Sequence, residues 1–179
     1  ETLAEDREAI LLADRLGFAE AFVGEHVTDL AENVTSCLMF LASLAHDTKN
    51  IVLGSGTINL PNTHPAAVAA QVAMLDHILR GRFILGISPG GLMSDAEVFG
   101  NYQKNRNAMF VEGIDMVLKI WESDGPLDLQ GEFFKVSTVR TAIPEIGQGL
   151  ILKPWQRPHP RIVGTAVAPF SQGVTEMAK

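Results

Sequence analysis

The chain has 179 residues, 46% hydrophobic and 20% charged, which is enough apolar side chain for one packed domain. Its 21 acidic and 14 basic residues leave a formal charge of -7, which argues against a nucleic-acid partner, since a net negative chain is repelled by phosphates. No apolar run approaches the ~20 residues of a membrane span, and a single cysteine, Cys37, rules out an intrachain disulfide; a cytoplasmic enzyme with no membrane partner is the expectation.

In chain order, Leu3, Ile10, Leu11 and Ala13 to Leu16 predict an amphipathic helix that Gly17 ends. Ala21-Phe22-Val23 reads as a short buried strand. Thr35 or Ser36 can cap a helix from Cys37 to Ala45, where Cys37 reads as a packing residue. Ile51 to Gly54 predicts the next strand, running on through Ser55, Gly56 and Thr57. His64-Pro65 opens a third helix with Val68, Val72, Leu75 and Leu79 on its inner face, and Arg80-Gly81 closes it. Phe83 to Ile87 is a continuous apolar strand, and Met109, Gly113, Ile114, Val117, Leu118 and Trp121 recur at the helical period. Between Asp124 and Pro160 the rhythm breaks. Gly125-Pro126 predicts a turn and Leu127 to Val136 a hairpin around Gly131, an insertion expected to shape a substrate mouth or a subunit contact. Ile162-Val163 begins a fourth strand, and Ser171 can cap a last helix ending at Lys179.

Strands alternating with helices predict βαβ units and a parallel sheet. No Gly-x-Gly-x-x-Gly follows the first strand, so a dinucleotide fold has no local support. The remaining solution is an eight-fold barrel, which typically needs ~250 residues. The expected fold is therefore α/β, a partial (β/α)8 TIM barrel containing about strands two to five, one domain over 1–179 with an insertion at about 124–160. Four parallel strands should follow in sequence order with the helices on one face. The fourth helix should turn apolar positions toward a missing layer.

Barrel chemistry sits where strands end. The residues there are Gly24-Glu25-His26, then Gly56-Thr57-Ile58-Asn59, then Ser88-Pro89-Gly90-Gly91, then Gly164-Thr165-Ala166. His26 is the one histidine directly after a strand and is the candidate catalytic residue, able to move protons near neutral pH. Gly90 lets backbone approach a ligand closely, and Ser171 at a helix start can bind phosphate through its N–H groups. Glu25, His26 and Asp29 lack metal-ligand spacing, so no metal is expected. His46, His64, His77 and His159 read as structural.

These motifs carry a resemblance. Gly17-Phe18 through Gly24-Glu25-His26, Leu60-Pro61-Asn62-Thr63-His64-Pro65, Leu75-Asp76-His77, Gly81-Arg82-Phe83, Val98-Phe99-Gly100 and Gln156-Arg157-Pro158-His159-Pro160 stand in the order and spacing of the bacterial luciferase-like flavin-dependent monooxygenases. Pro89-Gly90-Gly91-Leu92 with Ser94-Asp95-Ala96, and Lys153-Pro154-Trp155-Gln156, resemble the limonene-type branch. The resemblance implies a two-component enzyme: FMN, reduced by a separate NAD(P)H:flavin reductase, activates oxygen, and one oxygen atom passes to a small apolar substrate, a monoterpene such as limonene. It implies a homodimer at full length. It assigns His26 as the active-site histidine and Glu25, Gly56, Thr57, Asn59, Ser88, Gly90 and Ser171 to cofactor binding, with Gly56-Thr57 where some members carry a non-proline cis peptide. Val27 stands where the family often has a second histidine, and Pro89 where luciferases place a phosphate-binding arginine. The alternatives are a deazaflavin-dependent hydride-transfer enzyme of the same fold and a non-catalytic flavin-fold subunit.

Overall fold

A computed structural model describes residues 2–165. Ser171 and the helix expected to end at Lys179 lie outside the described residues. Helix α1 (Thr2–Leu16) leads into strand β1 (Glu20–Val23), and Gly17 makes the turn between them at φ 82°, a conformation that favours glycine. Helix α2 (Cys37–Leu44) is capped by Ser36, whose hydroxyl accepts from the Met39 N–H. Strand β2 (Val52–Ser55) and the two-residue β3 (Ile58–Asn59) replace the single long strand expected through Thr57. The division falls at the Gly56–Thr57 peptide, which is cis. Helix α3 (Pro65–Ile78), strand β4 (Phe83–Ser88), helix α4 (Met93–Val98) and helix α5 (Arg106–Glu122) follow. The antiparallel hairpin β5 (Asp128–Gln130) and β6 (Lys135–Ser137) precedes strand β7 (Arg161–Gly164).

The main sheet is parallel throughout. β1 pairs β2, β2 pairs β4 and β4 pairs β7, which is sequence order, while β3 pairs the C-terminal end of β4 through Ile58 and Asn59. Strand register sorts the two faces. Ala21, Leu53, Phe83, Leu85 and Ile162 face the helices and join their core with Leu41 and Leu44 of α2, Val68, Val72 and Leu75 of α3, and Ile120 and Trp121 of α5. Phe22, Gly54, Ile84, Gly86 and Val163 share the other face, the interior side of a barrel. Glycine there makes room: a Cβ on Gly54 would stand 2.4 Å from the Phe22 ring, and one on Gly86 1.9 Å from the Ser55 carbonyl oxygen. The architecture is that of a partial (β/α)8 barrel.

One expectation about packing changes. The apolar side of α5 does not face a missing layer: Met109, Phe110, Met116, Val117, Ile120 and Trp121 are buried, and the Trp121 indole donates to the Ala69 carbonyl at 3.1 Å. The 124–160 insertion supplies part of that cover, with Leu127 and Val136 in the core. Glu112 of α5 accepts the backbone N–H groups of Glu132, Phe133 and Phe134, and His64 packs edge-on against Phe134. Further along, Asp76 of α3 accepts from the backbone and side-chain N–H groups of Gln156, both at 2.8 Å, and the same side-chain amide donates to the Phe83 carbonyl at 2.9 Å, which ties the approach to β7 to α3 and to the start of β4. Among the described residues no helix is long and apolar enough to cross a membrane.

Candidate functional site

Parallel strands deliver their C-terminal ends to one rim. β1 ends at Val23, so Gly24-Glu25-His26 emerge there beside the cis Gly56–Thr57 peptide, whose Gly56 N–H donates to the Val23 carbonyl at 2.6 Å. A cavity of about 430 Å³ opens over this rim, lined by Gly24, Glu25, His26, Asp29, Glu32, Gly56, Thr57, Asn59, Ser88, Gly91 and Leu92. Six of the predicted site residues therefore share one cavity: Glu25, His26, Gly56, Thr57, Asn59 and Ser88. Gly90 adjoins it, held at φ 80° with its carbonyl accepting from Arg106 at 3.1 Å. Ser171 lies outside the described residues. A second cavity of about 230 Å³ shares Glu25, His26 and Asn59 and reaches outward toward Gln71 and Phe99. No residue of 124–160 lines either cavity; Glu112 of α5 and Asp76 of α3 tether that insertion instead.

The cavity floor is a chain of hydroxyl and amide groups. The Thr57 hydroxyl donates to the Ser88 hydroxyl at 2.8 Å, and Ser88 donates to Asn59 Oδ1 at 2.9 Å. Asn59 and Ser88 are both buried, so this chain supplies partners that water does not. Glu25, on the cavity wall, accepts the Cys37 N–H at 3.0 Å through Oε2, at the N-terminus of α2 where a carboxylate is favoured. Cys37 itself is fully buried, and burial first, then the Glu25 charge, push its thiol far above the usual range, which makes it inert packing.

His26 is held by a residue that sequence reasoning missed. Its Nδ1 lies 2.9 Å from Oδ2 of Asp95, on α4, and its Nε2 lies 3.7 Å from a Glu32 carboxylate oxygen. Asp95 is 2% exposed. Its other oxygen, Oδ1, accepts the backbone N–H groups of Val27 and Thr28 at 3.2 and 3.0 Å and the Thr28 hydroxyl at 2.6 Å. Burial opposes ionisation of Asp95, but the hydrogen bonds from Thr28 and His26 together outweigh it and hold the carboxyl below its usual value. The sequence signal was Ser94-Asp95-Ala96, shortly after a glycine-rich strand end and part of the stretch that resembles the limonene-type branch, with no role attached to Asp95.

The walls around His26 suit an uncharged ring more than a phosphate. Gly24, Gly56 and Gly91 offer bare backbone, and a Cβ on Gly24 would come within 3.1 Å of the Gly56 carbonyl oxygen. The charged side chains of the lining are Glu25, Asp29 and Glu32, with no lysine or arginine among the described lining residues.

Comparison with known proteins identifies the family and the fold. The family described as luciferase-like monooxygenase matches residues 1–175. The chain is 40% identical over 116 residues to a limonene 1,2-monooxygenase of Rhodococcus erythropolis, covering 65% of this chain and 30% of that protein. It is 30% identical over 166 residues to the oxygenase component of a flavin-dependent trigonelline monooxygenase of Acinetobacter baylyi, covering 92% and 43%. Among solved structures it superposes with a TM-score of 0.83 on the oxygenating constituent of 3,6-diketocamphane monooxygenase of Pseudomonas putida in complex with FMN, at 28% identity, covering 92% of this chain and 46% of that one. The chain thus spans less than half the length of these relatives.

Proposed function

The chain belongs to the luciferase-like monooxygenase family, and from that premise we propose that it carries the oxygen-side half of the active site of an FMN-dependent monooxygenase acting on a small apolar substrate, a monoterpene or a bicyclic ketone. The observation that carries this reading is His26, fixed by buried Asp95 at the wall of a glycine-lined cavity where the parallel strands end. Gly24, Gly56 and Gly91 would lie against the flat face of the flavin, and Thr57, Asn59 and Ser88 would meet its polar edge. Bound in its reduced form, FMN supplies the electrons that activate oxygen. The acidic lining leaves the phosphate to residues beyond this wall. His26 gives and takes a proton at the ring nitrogen that faces the cavity, and Leu92 and Val27 keep that side partly dry. A separate flavin reductase would supply the reduced cofactor, a reading supported by the relative named as the oxygenase component of a flavin-dependent monooxygenase, and the full-length enzyme would be a homodimer, as the family resemblance implies.

The test mixes the enzyme with reductase-generated FMNH2, oxygen and limonene or a diketocamphane, and measures oxygenated product and released hydrogen peroxide together. Product formation dependent on oxygen is expected. Equal turnover without oxygen, on a deazaflavin, would overturn the reading.

A further inference from the structure

We infer that Asp95 is a positioning residue that fixes the tautomer of His26, so that the neutral imidazole carries its proton on Nδ1 and presents the lone pair of Nε2 to the cavity. This rests on the proposed proton role of His26 for its consequence, but not for its geometry. The argument is one of hydrogen-bond bookkeeping. Oδ1 of Asp95 receives two backbone N–H groups, which can only donate, and the Thr28 hydroxyl. Oδ2 is left to face Nδ1 of His26 at 2.9 Å. An ionised carboxylate only accepts, so Nδ1 must donate, and in the neutral ring Nε2 is then the acceptor; the Glu32 carboxylate oxygen 3.7 Å from Nε2 is beyond hydrogen-bond distance and takes no proton from it. The backbone of the same loop completes the hold: the His26 N–H donates to the Val34 carbonyl at 3.0 Å, which fixes the Cα from which the ring projects.

The same bookkeeping makes Asp95→Asn a near-isosteric reversal. The amide oxygen of an asparagine must occupy the Oδ1 place, because the Val27 and Thr28 N–H groups still point at it. Its NH2 group then faces Nδ1 of His26 and donates to it. His26 can satisfy that donor only by accepting at Nδ1, which moves its own proton to Nε2 and closes the lone pair to the cavity. A wrong tautomer at a proton-transferring histidine can cost up to ~10⁴-fold in rate. Asp95→Asn is therefore expected to lower oxygenation by about as much as removing the ring, roughly 10²–10⁴-fold, without the loss of fold that an unpaired Val27 or Thr28 N–H would bring.

The experiment records histidine ring nitrogen NMR spectra of the 15N-labelled full chain at about pH 9, well above the ordinary histidine value of ~6.5, with His26→Gln to assign the signals. Wild type should show a protonated Nδ1 and an unprotonated Nε2, and Asp95→Asn the reverse. A protonated Nε2 in wild type, or the same tautomer in both proteins, would overturn the inference. Should Asp95→Asn fail to fold, the wild-type spectrum alone still decides it. Oxygenation assays on the same proteins answer the separate question of His26's role: a reversed tautomer with unchanged product yield leaves the Asp95 assignment standing and removes the proton role.

Discussion

Asp14 and Asp95 are the same device placed at opposite ends of one sheet. Asp14, near the end of α1, accepts the backbone N–H groups of Lys49, Asn50 and Ile51 at 2.8, 2.9 and 2.7 Å, just where the chain enters β2. Asp95 accepts the N–H groups of Val27 and Thr28, just past the point where the chain leaves β1. Each carboxylate pins a turn that the sheet alone would leave loose. The difference lies in the second oxygen. Both oxygens of Asp14 are used on backbone, whereas Asp95 gives one oxygen to backbone and the other to an imidazole that faces a cavity. A structural clasp becomes part of a site when one of its acceptors is released to a group that can change its protonation. This matches the general division of a barrel into a rim for stability and a rim for chemistry.

That comparison breaks most sharply on activity. His26→Ala should lower oxygenation by roughly 10²–10⁴-fold, equivalent to about 2.7–5.4 kcal/mol of barrier, with oxygen still consumed and released as peroxide. Asp14→Ala should leave product formed per oxygen consumed unchanged, measured at equal folded protein. Lost coupling in the Asp14 variant, or retained coupling in the His26 variant, would erase the distinction between the two rims.

Between the rims the sheet itself is the least forgiving part. Gly86→Ala drives a Cβ to 1.9 Å from the Ser55 carbonyl oxygen, and that oxygen is backbone of a paired strand and cannot swing aside. Overpacking of this kind costs about 3 kcal/mol or more. Gly91→Ala, with nothing within 4 Å of the added Cβ, should change stability by less than about 0.5 kcal/mol. Urea unfolding of both variants checks the contrast, and equal midpoints would mean that β2 and β4 are not packed as closely as described.

What the sequence made legible follows from the range of the forces involved. Phe83 to Ile87 is apolar without interruption because a strand buried on both faces needs it, so β4 could be read directly. His26 could be read as a site residue because its position depends on a local event, the end of β1. Asp95 could not, since it stands 69 residues away on a helix of six residues, too short for any period to register. The hairpin around Gly131 was legible from its turn residues, but its place was not. That depends on Glu112 reaching three N–H groups some twenty residues on, a tertiary contact with no local pattern. The cis Gly56–Thr57 peptide, which divides one expected strand into β2 and β3, was foreshadowed only by family resemblance.

A smaller effect tests Asp14 as a clasp, first by deletion. Ile51 is fully buried, so Asp14→Ala strands its N–H, while those of the exposed Lys49 and Asn50 can turn to water; the expected loss is about 1–2 kcal/mol. The smallest effect is its pH dependence. Hydrogen bonds from the Ile51 and then the Lys49 N–H hold the Asp14 carboxyl below its ordinary value of 3.8 against the opposing effect of burial. A carboxyl with a lowered folded value binds protons more weakly folded than unfolded. Its stabilisation is therefore complete above about 3.8 and is lost as pH falls through the lower folded value. Asp95 is also held low, so acid will weaken the wild type at both rims and a single pH profile would mix them. Subtracting the Asp14→Ala profile cancels the Asp95 contribution, because the two sites share no partner. The difference in unfolding free energy should stay flat from about pH 7 to about pH 5 and narrow only below about pH 4. A gap that narrows between pH 7 and 5 instead would assign the effect to a different titrating group and remove Asp14 as the clasp at this end of the sheet.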